Sequence, residues 1–190
     1  METEIINTYP VQFIDPVVLK DGTIAQLRPI HPVDGQQAEY LRTRISAENL
    51  YNRFLGYIPT ISEALVKRMT ELDYSKEMAI VAEVKQEDKK EIIAVARLGS
   101  DGGNAAEFAI VIVDDWHGKG LGTILTDYMI EVAKVMKFDH VYALLFDSNT
   151  GMKRILEKRH FRIIRDEVNI LRADLSLLED DIEIEVDIEF

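Results

Sequence analysis

Apolar residues recur with two different periods in this chain, and the switches between them delimit its elements. Two short β-type runs flank Asp21-Gly22, a dipeptide suited to positive φ, and predict a hairpin over 17–30. The stretch 31–46 reads as a helix with Pro32 in its first turn. A second helix follows over 60–73, with Thr60 or Ser62 as N-cap and Ile61, Leu65, Met69 and Leu72 along one stripe. "EMAIVAEV", "EIIAVARLG" and "AAEFAIVIV" are then strands, the last two joined by a turn at "SDGGN". They predict an antiparallel meander at the centre of a sheet. Over 121–138 the period returns to helical, placing Leu121, Leu125, Met129, Val132 and Met136 on one face. "HVYALLF" is the next strand, and the helix before it makes it parallel to "AEFAIVIV". A short helix opened by Asn149 and one or two strands over 161–177 complete the body. The order predicts an α+β fold: a mixed, mostly antiparallel sheet flanked by helices, in one domain over 1–178.

The last twelve residues, 179–190, alternate strictly, with Ile182, Ile184, Val186, Ile188 and Phe190 on one face and acids on the other. This is a strand pattern with one face to bury, expected to pair with a sheet edge in cis or across a homodimer. The segment also carries much of the charge. Net charge is −12, but residues 179–190 hold seven acids and no base, which leaves the body at −5. No basic stripe is visible, so direct nucleic-acid binding is not expected; basic proteins or small cationic amines suit the charge better. Cysteine is absent, which excludes disulfides, thiolate metal sites and a thiol nucleophile and fits a cytoplasmic protein. The start "METEIINTYP" lacks an apolar h-region, and no apolar run approaches a membrane span. His31, His117, His140 and His160 show no metal-binding spacing, so no metal is expected.

One loop concentrates candidate chemistry. "HGKGLG" places Gly118, Gly120 and Gly122 between a strand and a helix. The dinucleotide fingerprint G-x-G-x-x-G fails at Thr123 or Leu125, and a phosphate-binding loop of the G-x-x-x-x-G-K-[ST] type lacks its lysine. The physical content survives both failures. Closely spaced glycines let several N–H groups face one concavity, and the loop feeds a helix N-terminus that favours an anion. Lys119 and the Thr123 hydroxyl stand beside it, and a pyrophosphate would suit the site.

These residues resemble motif A of the GNAT acetyltransferases, [QR]-x-x-G-x-[GA], with its second half intact at Gly120-Leu121-Gly122. Across roughly 17–175, "DGTIAQLRPIHPVD", "ISAENLYNRF", "LDYSKEMAIVA" and "AEFAIVIVDDWHGKGLGTIL" are similar to the catalytic domain of Pat-type protein lysine acetyltransferases. The resemblance implies that the backbone of Val111, Ile112 and Val113 pairs with the pantetheine of acetyl-CoA. It also implies that His117, Gly118, Lys119, Gly120, Leu121, Gly122 and Thr123 hold the pyrophosphate, with Asn149 nearby. The cleft is expected where "AIVIV" parts from "HVYALLF". Glu107, a charge heading an apolar strand, matches a glutamate that serves Pat-like proteins as general base; burial in that strand would raise its pKa. His117 stands where Gln or Arg is usual, His160 replaces a usual glycine, and Leu156 occupies the place of a frequent tyrosine acid. Three readings stand: acetyl transfer to protein lysines by direct attack, acetyl transfer to a small amine such as a polyamine or aminoglycoside, or non-catalytic acyl-CoA sensing.

Overall fold

The computed structural model describes residues 9–56, 62–87 and 89–178. Two strands, β1 (Asp15–Val18) and β2 (Ile24–Pro29), form the expected hairpin, with Gly22 at φ +84° in its turn. A 3-10 turn over Pro32–Asp34 leads into α1 (Gly35–Thr43). Next comes α2 (Ala47–Phe54), which the apolar periodicity did not reveal because the segment is short and mostly polar. Its opening is nonetheless encoded: the Ser46 side chain accepts from Asn49 N–H. Ser62 caps α3 (Glu63–Thr70) in the same way, through Leu65 N–H; Thr60 and Ile61 lie outside the described residues.

The three central strands are β3 (Glu77–Gln86), β4 (Lys89–Ser100) and β5 (Ala105–Ile112), paired antiparallel in sequence order. The helix α4 (Leu121–Val135) buries Leu121, Leu125, Met129 and Val132 and returns the chain to β6 (His140–Phe146), parallel to β5. After α5 (Thr150–Glu157), whose N-cap is the Asn149 side chain, β7 (Arg162–Glu167) and β8 (Ile170–Ser176) form a hairpin. The single sheet runs β1-β2-β3-β4-β5-β6-β8-β7, a mixed and mostly antiparallel order as the sequence predicted. Val111 packs toward α1–α3, whereas Ile112 meets α4 at Gly122, so the two helical layers lie on opposite faces. The alternating tail at 179–190 lies outside the described residues.

A charged cluster locks the β2 end of the sheet. Arg28 donates to Asp34 at 2.7 Å and to Glu83 at 2.9 Å, while Lys90 Nζ lies 2.9 Å from Glu83. Asp34 and Glu83 are both buried. Burial pushes the Glu83 carboxyl up, but the bonds from Lys90 and Arg28 overcome it and hold its pKa below the ordinary value. A depressed carboxyl stabilises the fold above its unfolded pKa of about 4.3 and loses that contribution as pH falls through the folded value. Glu83→Gln is therefore expected to cost about 1–3 kcal/mol at pH 7. The difference should shrink below about pH 4.3 when urea midpoints are compared down to pH 3. A difference independent of pH would refute the assignment.

Candidate active site

The parallel pairing of β5 with β6 covers only Ala105–Glu107 against His140–Tyr142. Beyond Glu107 the two strands part. A cleft of about 480 Å³ opens between them, within the range of small-molecule sites. Five successive residues of β5, Phe108 to Ile112, line it because the strand edge is free there; Ala143, Leu144 and Leu145 of β6 face them. This is where the sequence placed a cleft.

The glycine loop closes one end. Gly118 (φ +76°) and Gly120 (φ +87°) both adopt left-handed backbone, which explains why glycine stands at each. Gly122 serves packing instead: a Cβ there would meet Ile155 Cδ1 at 3.2 Å, so its absence lets α4 approach α5. The N-termini of α2, α3 and α5 are each capped by a side chain, whereas those of α1 and α4 have no side-chain cap, and of these two only α4 opens at the cleft. Its first-turn N–H groups therefore remain available at the cleft, where the helix dipole favours an anion.

Not every residue singled out in the sequence lines this cleft. Val111, Ile112, His117, Gly118, Gly120, Leu121, Gly122, Thr123 and Asn149 do. Val113 is fully buried, and Lys119 turns aside: its ammonium pairs with Asp21 at 3.0 Å and lies 4.1 Å from the centre of the Trp116 ring. A different lysine takes the position at the loop. Lys20, from the β1–β2 hairpin, lines the cleft, and its stem would touch a Cβ at Gly120 at 3.2 Å. Its N–H donates to the Lys119 carbonyl, which docks the hairpin on the loop. No linear pattern marks Lys20. The ring of His117 contacts the Ile112 carbonyl at 3.0 Å and so ties the loop to β5.

Helix α2 supplies the opposite wall through Asn49, Asn52 and Arg53, an i, i+3, i+4 stripe that was legible once a helix is drawn there. Asp114, just past β5, anchors it by accepting from Asn49 Nδ2 at 2.9 Å and from Ser46 N–H. Burial raises the Asp114 pKa, but those bonds outweigh it and hold it below its ordinary value. Tyr51 stacks on Phe146 of β6 at 5.0 Å, which joins α2 to the far side of the cleft.

Glu107 stands at the vertex where β5 and β6 separate, level with Tyr142. It is exposed, so the burial expected from its apolar strand is not present. Its carboxylate makes no hydrogen bond or ion pair among the described residues, although its charge acts on Arg53 and Tyr142. Burial, and then Glu107, push the Tyr142 phenol up. Tyr74 is taken up by packing: it is half-buried and donates to the Ile30 carbonyl. No group of three or more His, Asp or Glu residues gathers to hold a metal among the described residues.

Residues 45–161 match the Acetyltransferase (GNAT) family. The chain belongs to the GNAT acetyltransferases. It is 30% identical over 137 residues to acetyltransferase PA5475 of Pseudomonas aeruginosa, covering 71% of this chain and 73% of that protein. It is 26% identical to acetyltransferase Pat of Mycolicibacterium smegmatis over 85% of this chain, but spans only 48% of that relative's length. The crystal structure of the GNAT domain of S. lividans Pat superposes with a TM-score of 0.80 at 26% identity, covering 90% of this chain and all of that one.

As a GNAT acetyltransferase the protein departs from the family at three places, and the structure accounts for two. His160 adopts φ +60°, the conformation for which a glycine is usual, and lets the Phe161 N–H return to the Leu156 carbonyl. Leu156 is fully buried in the core, where its hydrocarbon side chain packs and has no proton to donate. GNAT acetyltransferases use acetyl-CoA, and the residues present fit it: left-handed glycines, an uncapped helix N-terminus and the Lys20 cation meet at one end of an apolar-walled cleft. Among the described residues, no helix is long and apolar enough to cross a membrane.

Proposed function

We propose that this GNAT acetyltransferase moves an acetyl group directly to an amine, with lysine side chains of proteins as acceptors. One observation carries the reading: the cleft opens at the strand position immediately after Glu107, whose carboxylate has no partner among the described residues. When bound, acetyl-CoA supplies an activated thioester. The amides at the start of α4 and Lys20 would hold its pyrophosphate, and the free edge of β5 from Val111 offers its backbone groups to the pantetheine. Glu107 attracts the acceptor ammonium and takes its proton. With no cysteine in the chain, an acyl-thiol intermediate on the protein is excluded, which supports direct attack. The likeness to Pat supports lysine as the acceptor class.

Incubation of the protein with labelled acetyl-CoA and native lysate tests this. Labelled proteins, with label mapped to lysine, are expected. A labelled small amine would replace the acceptor class, and acetyl-CoA binding without transfer to any acceptor would overturn catalysis.

A further inference from the structure

Beyond the glycine loop, Arg53 is the cleft's least compensated charge. It sits in the last turn of α2 and lines two cavities at once. One is the cleft beside Phe108 and Ala109. The other is a smaller pocket under α1–α3, walled by Leu50, Leu65, Met69 and Val95. Arg53 is half-buried, yet among the described residues it forms no hydrogen bond or ion pair; its guanidinium only stacks on Phe54 at 5.1 Å. Its neighbour Arg97 is occupied, donating to the Met69 carbonyl and pairing with Glu77 at 3.3 Å. Arg97 therefore adds positive field without offering Arg53 a partner. Burial and then Arg97 push the Arg53 pKa down, opposed only by Glu107. A guanidinium stays charged in proteins, so this is a cation held in an unfavourable place.

Glu107 completes the arrangement. Arg53 lines the cleft with Phe108 and Ala109, the two residues that follow Glu107 on β5, and no ion pair joins it to Glu107 among the described residues. A site that keeps a carboxylate and a guanidinium close and unjoined is complementary to a ligand carrying an ammonium and a carboxylate in the reverse order. We propose that Arg53 is a specificity residue that binds a carboxylate borne by the acceptor beside its amine, while Glu107 receives the ammonium. The carboxylate is either the acceptor's own, as in a free amino acid, or an acidic side chain next to a target lysine. Guanidinium geometry suits it, because the planar fork binds a carboxylate bidentately where an ammonium cannot. This deepens the functional proposal above and rests on its placing the acceptor amine at Glu107.

The test compares matched acceptors in the acetylation assay: free amino acids against their carboxamides, and lysine peptides with Glu against Gln beside the lysine. A charge-assisted hydrogen bond predicts that kcat/KM favours the carboxylate form by about 10–100-fold in at least one pair. That ratio should fall to about one in Arg53→Met and to an intermediate value in Arg53→Lys, carried by KM. Preference in the amino-acid pair alone assigns the acceptor's own carboxylate; preference in the peptide pair alone assigns a neighbouring acidic residue. Saturation-transfer NMR with the same acids and carboxamides reads binding without turnover. A silent assay with selective binding thus overturns the acetyl-transfer reading alone. The inference itself fails if neither assay nor binding favours a carboxylate, or if the preference survives Arg53→Met. It fails equally if Arg53→Met alters the choice between succinyl-CoA and acetyl-CoA instead, since the arginine would then read the donor.

Discussion

Glu107→Gln is expected to retain acetyl-CoA affinity while turnover falls about 10²–10⁴-fold. The requirement on the base can be put in numbers. A lysine of pKa about 10.4 is protonated at neutral pH, and presenting the free amine there costs roughly 4.6 kcal/mol. Glu107 is placed to lower that cost. It stands at the vertex where β5 and β6 separate, it is exposed, and no described residue occupies its carboxylate. Tyr142 faces it across the strand pair, but a phenol pushed up by burial and by Glu107 is a poor proton acceptor at neutral pH. Gln keeps the size and a hydrogen-bonding oxygen and loses only the basicity. The acidic limb of the kcat/KM profile should vanish with it. Wild-type turnover with an unchanged profile would place the base elsewhere, and neither Asp73 nor Tyr74 is a ready substitute. Asp73 accepts from Ser75, and the Tyr74 hydroxyl is committed to Ile30.

Gly120→Val should lower acetyl-CoA affinity by about 10²-fold or more, the loss of at least two charge-assisted hydrogen bonds from the loop amides. Two physical effects combine at this position. Its φ of +87° is a conformation that a β-branched residue adopts only under strain, so the loop is expected to rearrange. A Cβ would also press on Lys20 Cγ and Cε at 3.2 Å, displacing the cation that crosses from the hairpin. Strain alone can be measured separately. Gly102, in the β4–β5 turn, has φ +94° with nothing within 4 Å of an added Cβ. Gly102→Val should therefore share a melting-temperature loss of a few degrees, consistent with strain of about 1–3 kcal/mol, and leave acetyl-CoA binding intact. Trp116, the sole tryptophan, lines the cleft, and its fluorescence can report binding in both variants. Equal affinity in folded Gly120→Val and wild type would make the loop a packing device only.

Local chemistry was legible in the chain wherever it depends on neighbours in sequence. Short apolar, β-branched runs bounded by turn residues specified β3, β4 and β5, and the 3.6 period specified the buried face of α4, because an unbroken apolar run marks a buried strand and the helical period marks which side of the helix meets the core. Asp21-Gly22, Ser62 and Asn149 announced a turn and two caps, since those residues act within three positions of themselves. The glycines at 118 and 120 likewise declared a left-handed loop. What tertiary structure alone decided are the encounters between distant segments. Lys20 reaches the loop a hundred residues away, whereas Lys119 within the loop is drawn off by Asp21 and Trp116. The parting of β5 from β6 depends on where their pairing stops, and no property of either strand alone sets that point. The exposure of Glu107 and the isolation of Arg53 follow from the same cause: a side chain's surroundings come from elements that only folding brings beside it.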